Sequence, residues 1–270
     1  MPCSLSISEI ETRKQKLTPL IERIRTNMLE KANHDLFYKY KVKQAKEILR
    51  IANQIFHGSL AVAFSGGKDS LVALHLALEI NPEIPVVFNS TTVEFPETIE
   101  YVKRLAKEWN FKLYIAKPKT SFFIEVKKRG WATHEHRWCC IIFKDRPAFE
   151  FLIKQGIKAE ITGTTRTESI YRRSLLPFKN PNKDPPIIRV NPIYDWNQQE
   201  VWKYIRENNL PYNPLYKMGY RRIGCWCCPL NGPSHYKRLK QTHVRMYDLL
   251  KSFKPVHPFF SLMQSRRMEP

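Results

Sequence analysis

Two groups of residues in this 270-residue chain have the types and spacing to do chemistry. The first is Ser65-Gly66-Gly67-Lys68-Asp69-Ser70, set between the apolar run LAVAF at 60–64 and a stretch that carries Leu71, Leu74 and Leu78 on one helical face. Adjacent glycines let the backbone turn sharply and approach an anion closely. The first amides of a helix lack intrahelical acceptors, and the helix dipole favours negative charge beside them. Ser65 and Ser70 add hydroxyl donors and Lys68 adds a cation, so the six residues read as an oxyanion cradle. The spacing differs from the GxxxxGK[ST] loop, which has four residues between its first glycine and the Gly-Lys pair.

The second group is sulfur. Of six cysteines, Cys3 stands apart, Cys139 and Cys140 are adjacent, and Cys225, Cys227 and Cys228 fall within four positions. Such clustering points to metal or redox chemistry rather than a disulfide framework. The C-x-x-C spacing of Cys225 and Cys228 lets two thiolates share one centre, and four thiolates suit zinc or an iron–sulfur cluster. Adjacent cysteines diverge, which is awkward for one zinc ion, whereas a 4Fe-4S cube presents four separate irons. Buried or redox-active thiols are the third reading. His134 and His136, just upstream of the pair, are further candidate ligands.

Both groups need a scaffold. Short apolar runs at 60–64, 85–89, 111–116 and 159–163 alternate with amphipathic stretches beginning near Asp69, Pro96, Ser121 and Asp145. That alternation predicts an α/β fold, an open, mainly parallel twisted sheet with helices on both faces. Ligands of such sheets bind beyond the carboxyl ends of the strands. Before it, from Tyr38 to Phe56, Val42, Ala45, Leu49, Ala52 and Phe56 recur at helical spacing. Five prolines between 177 and 192 predict a surface loop over 174–192, and Asp195 or Asn197 is placed to cap a helix running to Asn208, with Glu200 in its first turn. The expected organisation is a helical basic extension over 1–58, a nucleotide-binding domain over 59–230 that ends in the cysteine region, and a basic tail over 231–270 with eight Lys and Arg against two acids.

Composition narrows the function classes. With 43% hydrophobic and 12% aromatic residues, the chain has material for a core and is neither disordered nor collagen-like. No apolar stretch is long enough for a membrane span, and the N-terminus lacks the apolar core of a secretory signal, so a soluble, cytoplasmic protein is expected. Forty-five Lys and Arg against 25 Asp and Glu give +20, an excess that attracts polyanions such as RNA, DNA or nucleotides. No oligomeric state is read from the sequence.

SGGKDS resembles the PP-loop of the ATP pyrophosphatase superfamily. The resemblance implies an adenine nucleotide, with the base near Phe64, Asn89 and Ser90, and Asp69 holding Mg²⁺ or orienting the nucleotide. RWCCIIFKDRP and GYRRIGCWCCP, the stretch 191–216 between them, VEFPETIEYVKRLAKEWNF at 93–111 and TGTTRTES at 162–169 resemble the phosphoadenosine and adenosine phosphosulfate (PAPS and APS) reductase family over about 59–230. The adenosine phosphosulfate branch implies that Cys139, Cys140, Cys225 and Cys228 ligate a 4Fe-4S cluster, with Cys227 left as an extra thiol and a substitute nucleophile. It implies that Lys144 is a fixed cation between cluster and sulfate. Arg166, Arg221 and Arg222 fall where the family supplies charge to phosphate and sulfate, or are ordinary surface cations.

Three features depart from that family. Its nucleophile is a cysteine in a C-terminal Glu-Cys-Gly-type motif, and no cysteine follows Cys228 here; Ser261 and Ser265 cannot replace a thiolate. Ser90-Thr91-Thr92 stands where the family has an Asp-Thr-Gly-like turn. The loop is a full SGGKDS, which suits enzymes that split ATP to AMP and pyrophosphate, tRNA thiolases among them. The expected activity is therefore reduction of a sulfonucleotide to sulfite and AMP or 3'-phospho-AMP by a thiol donor protein. ATP-dependent sulfur transfer, with RNA as an acceptor, is the alternative.

Overall fold

The computed structural model describes residues 33–133, 135–179, 187–253 and 257–260. Cys3, His134, Ser261, Ser265 and most of the expected N-terminal extension lie outside them. The chain forms two compact units, residues 1–44 and 45–270, and in the first of these residues 33–44 are helical. The second opens with α1 (residues 45–55), whose Ala45, Leu49 and Ala52 are buried as their spacing predicts.

β1 (Leu60–Ala63), β2 (Val86–Asn89), β3 (Leu113–Ala116) and β4 (Ala159–Ile161) are the four expected strands. They alternate with α2 (Lys68–Ile80), α3 (Pro96–Glu108), α4 (Phe122–Arg129) and α6 (Arg146–Lys154). The sheet runs β3-β2-β1-β4-β6-β5, parallel except for β5 (Phe178–Lys179), which pairs antiparallel with β6 (Ile188–Val190). Ala61 and Val62 of β1 and Val86 of β2 are fully buried, as a sheet covered on both sides requires. Ala61, Val87 and Ala116 on the sheet meet Leu152 of α6 in one apolar cluster.

Two expectations are corrected. The 174–192 stretch is not loop throughout: Phe178–Lys179 forms β5, and Ile188-Arg189-Val190 lies between Pro186 and Pro192 with amides free to join the ladder and forms β6. Within the stretch expected to be a basic tail, the described residues 233–252 form α8 (Pro233–Thr242) and α9 (Val244–Ser252), which bury Tyr236, Leu239, Tyr247 and Leu250 in one core with Phe95, Phe122, Trp226 and Cys227. Those apolar residues recur at helical spacing beneath a surplus of lysines and arginines, so net composition hides them.

α7 (Gln198–Glu207) begins at Asn197, whose side chain accepts hydrogen bonds from the amides of Gln199 (2.9 Å) and Glu200 (3.0 Å), while Glu200 accepts from the Asn197 amide (2.7 Å). This reciprocal cap satisfies three donors at once. Asn197→Ala is expected to lower stability by about 1 kcal/mol, read as a fall in urea midpoint without a change in slope. Among the described residues no helix is long and apolar enough to cross a membrane.

Candidate active site

β1 delivers the chain into residues 65–67, and α2 starts at Lys68. Gly66 has φ +74, and a Cβ there would lie 2.9 Å from Thr98 Cγ2, so both its conformation and its surroundings require glycine. The loop is tied internally: the Ser65 amide donates to Ser70 Oγ (3.3 Å), which donates to the Gly67 carbonyl (2.9 Å). It is also tied to a distant segment. Asn213 Nδ2 donates to the Gly66 carbonyl (3.2 Å) and to Thr98 Oγ1 (3.0 Å), and Tyr216 OH accepts from the Lys68 amide (2.9 Å). Lys68 Nζ pairs with Asp69 Oδ2 at 2.6 Å, and Asp69 Oδ1 is buried with no hydrogen-bond partner.

At the end of β2, Ser90 follows Asn89, whose buried Oδ1 also has no hydrogen-bond partner. Thr92 adopts φ +68, a conformation costly for a β-branched residue, where the resembled family has a glycine. Its Oγ1 accepts from the Phe122 amide (2.9 Å) and so helps to position the start of α4. The Phe64 ring is buried against Tyr101 and Phe111.

Residues 138–140 form a short helical turn, α5 (Trp138–Cys140), which continues as a wide π turn at Ile141–Asp145 into α6. The segment 224–228 folds against it. Cys139, Cys140, Cys225 and Cys228 line one cavity with Thr91, Lys144 and Arg222. Thr91 Oγ1 lies 3.3 Å from Cys225 Sγ and is gripped by the carboxylate of Glu94, and the Trp226 amide donates to the Val93 carbonyl (3.1 Å). The strand-end turn thus positions the second cysteine pair.

Electrostatics inside the cavity are strongly coupled. The Cys139 thiol donates to Cys140, which, with Lys144 also favouring the thiolate, lowers the Cys140 thiol to about 6 although burial opposes it; Cys139, holding the proton, is pushed far up. Burial raises Cys225, against the pull of Lys144 and Thr91. The Lys144 ammonium is stabilised first by Cys225 and then, against burial, by Cys140 and Cys228. A cation among four sulfurs is the setting that thiolate ligation needs. Among the described residues no three His, Cys, Asp or Glu side chains are grouped as they would be to hold a metal ion. Four cysteine sulfurs line the one cavity, and four thiolates are a donor set that iron–sulfur clusters use.

The other expected residues are placed as follows. Cys227 is fully buried in the apolar core, its thiol pushed well up by burial, and it does not line the cavity. Arg166 Nε donates to the Leu175 carbonyl (2.7 Å) and its guanidinium lies 4.6 Å from the Tyr194 ring centre. Arg222 lines the thiol cavity, whereas its neighbour Arg221 lines a different one. Arg172, which sequence reasoning missed, has its guanidinium pKa lowered by burial and by repulsion from Arg222 and Arg189, with Asp69 opposing. Thr91, Glu94, Asn213 and Tyr216 were also missed as site residues; the fold alone shows which of their side chains reach the loop or the sulfurs.

His257, beneath the cysteine loop, is fully buried, with Nε2 2.9 Å from the Cys227 carbonyl and Nδ1 accepting from the Phe259 amide (3.1 Å). Both nitrogens are satisfied in the neutral form, and burial lowers its pKa from 6.5 to about 4. Between those values the unfolded chain binds the extra proton, so stability falls as pH drops from about 6.5 to about 4, by about 3 kcal/mol from this residue. His257→Gln is expected to flatten that part of the stability–pH profile, measured by urea unfolding; an unchanged slope refutes the assignment.

A phosphoadenosine phosphosulfate reductase domain family matches residues 59–231. The adenosine 5'-phosphosulfate reductase of Bacillus cereus is 34% identical over 194 residues, covering 70% of this chain and 81% of that protein. The uncharacterized protein MJ0973 of Methanocaldococcus jannaschii is 31% identical over 258 residues, 92% of this chain but 62% of that longer relative, and the chain spans 46% of a second relative from the same organism. Among solved structures, phosphoadenylyl-sulfate reductase from Candida auris in complex with phosphate is similar with TM-score 0.55 and 25% identity, over 83% of this chain and 97% of that one. The U34-tRNA thiolase NcsA from Methanococcus maripaludis, with its [4Fe-4S] cluster, shares the fold at TM-score 0.51 and 17% identity, over 80% and 82% of the two chains.

Proposed function

The chain belongs to the phosphoadenosine phosphosulfate reductase domain family, and on that premise we propose that it reduces an adenylyl sulfonucleotide to sulfite and AMP or 3'-phospho-AMP. Ser65, Gly66, Gly67, Lys68, Asp69 and Ser70 hold the phosphate, with Ser90 and Arg166 completing the nucleotide site. Cys139, Cys140, Cys225 and Cys228 hold a 4Fe-4S cluster, which when bound supplies a compact, polarisable sulfide surface at the sulfate end of the substrate. Lys144 and Arg222 neutralise charge there. The observation that carries this reading is the cationic bridge between loop and sulfurs: Arg222 acts electrostatically on Lys144 among the thiols and also on Tyr216 and Arg172, both of which feel Asp69. Arg172, whose pKa is lowered by burial and by repulsion from Arg222 and Arg189, sits in a crowd of positive charge that an anion would relieve.

The electrons come from an external dithiol. One thiolate attacks the sulfate sulfur, the bond to the phosphate oxygen breaks and the nucleotide leaves; the second thiol attacks the resulting thiosulfonate, releasing sulfite and leaving a disulfide. Buried Cys227 has no such access. The test is anaerobic purification followed by assay of adenosine and phosphoadenosine phosphosulfate with a dithiol. About four irons per chain, lost in Cys140→Ser and Cys225→Ser, and sulfite from one substrate are expected. Stoichiometric zinc, or no sulfite from either substrate, refutes the reading.

One observation favours the alternative, an ATP-dependent sulfurtransferase: Asp69 Oδ1 is buried and lacks a hydrogen-bond partner inside an intact SGGKDS loop, a disposition that suits Mg²⁺ on a nucleoside triphosphate. Pyrophosphate release from ATP in the presence of an RNA acceptor is its signature.

A further inference from the structure

Beside the phosphate loop lies a second cavity, of about 470 Å³, which the reaction above leaves unused. Its volume is within the usual range for small-ligand sites, about 300–1,000 Å³. Three half-buried rings form its walls. Trp202 of α7 meets Tyr212 at 5.2 Å and Tyr216 at 5.1 Å, both at 85° between ring planes, and the two tyrosines lie 6.4 Å apart. In each edge-to-face pair only one face of one ring is taken by the other's edge, and all three rings remain partly exposed, so apolar ring surface stays available to a visitor. The charges around it are of one sign. Lys68, its ammonium already paired with Asp69, lines the inner side, Lys217 and Arg221 are exposed on the outer side, and no carboxylate lines the cavity. Lys217 Nζ lies 5.7 Å from the Tyr212 ring centre, so its position is already coupled to the aromatic wall.

A cavity that combines aromatic walls with two exposed cations, Lys217 and Arg221, and no acid among its lining residues matches one kind of ligand, a planar ring that carries a phosphate. We propose that it binds a nucleobase together with its phosphate, separately from the adenylyl group on residues 65–70. Stacking on the aromatic wall is tolerant of base identity, and Lys217 and Arg221 take the backbone charge, as in sites for single strands. The chain's +20 charge gives a strand an attractive approach. Tyr216 joins the two sites, because its ring lines this cavity while its hydroxyl accepts from the Lys68 amide in the loop.

The inference does not depend on which reaction the loop serves. Its test uses a fluorescein-labelled uridylate decamer and uridine monophosphate as probes on the full chain, with inorganic pyrophosphate, which has no base to stack, present in excess to occupy the loop. Anisotropy follows the decamer, and its displacement reports the monophosphate. Lys217→Glu, at an exposed position that packing does not constrain, and Trp202→Leu are each expected to weaken binding at least tenfold, with pyrophosphate affinity unchanged within twofold in Lys217→Glu. Decamer binding far tighter than the monophosphate assigns the cavity to a strand, and equal affinities assign it to a free nucleotide; both support the proposal. It is overturned if neither probe binds, or if either variant retains wild-type affinity for the probes.

Discussion

Gly163→Ala is expected to remove nucleotide binding at the loop more completely than Gly67→Ala, although Gly67 lies inside the SGGKDS motif and Gly163 does not. A Cβ at Gly163 would lie 2.5 Å from the Asp69 carbonyl carbon and oxygen and from the Ser70 amide nitrogen. All three are backbone atoms in the first turn of α2, so no side chain can swing aside; either the helix start or the segment after β4 must move by about 1 Å. Overpacking of this kind costs about 1–3 kcal/mol of stability, and the displaced turn carries the amides that the proposed function assigns to the anion. A Cβ at Gly67, by contrast, meets Ser65 Oγ at 3.4 Å, an ordinary contact, with backbone φ −87. Titration calorimetry with AMP should show at least a tenfold weaker Kd for Gly163→Ala, about 1.4 kcal/mol, and a smaller change for Gly67→Ala. The reverse ranking sinks the argument.

The second large effect is expected at Lys144. Its ammonium is the cation most directly coupled to the sulfurs, with Cys225, Cys140 and Cys228 all acting on it. If the reading above holds, it also faces charge that develops on departing sulfite. Lys144→Gln keeps length and polarity but removes the charge, and loss of one preorganised stabilising group typically lowers kcat by about 10²–10³. Sulfite release should fall by that factor while AMP affinity changes little, because the lysine does not touch residues 65–70 among the contacts described. An independent readout needs no cluster. In metal-free protein the Cys140 thiol lies near pKa 6, partly through Lys144, so its alkylation at pH 7 should slow in Lys144→Gln. Unchanged sulfite release together with unchanged alkylation argues that Lys144 is a structural cation only.

Local pattern was enough for much of this protein. Four of the six strands, the helices between them and the Asn197 cap follow from apolar spacing, prolines and capping chemistry, because those signals act within a few residues. The phosphate loop was legible for the same reason, since glycines, hydroxyls and a helix start in a row define a cradle before any packing occurs. β5 and β6 were hidden because two or three residues among prolines carry too little pattern, and α8 and α9 because an excess of lysines and arginines over acids made the stretch read as a basic tail.

Tertiary structure alone decided what those parts face. Nothing local distinguishes Arg221 from Arg222, yet a single step of the backbone sends one to an aromatic cavity and the other to the thiols. Nothing local separates Cys227 from Cys225 and Cys228, yet it is buried in the core while they line the cavity. Gly163 matters only because β4 brings it against the start of α2, nearly a hundred residues away. Spacing along a chain sets which groups are available, but direction, burial and the nearest opposite charge belong to contacts between distant segments, and these set the chemistry.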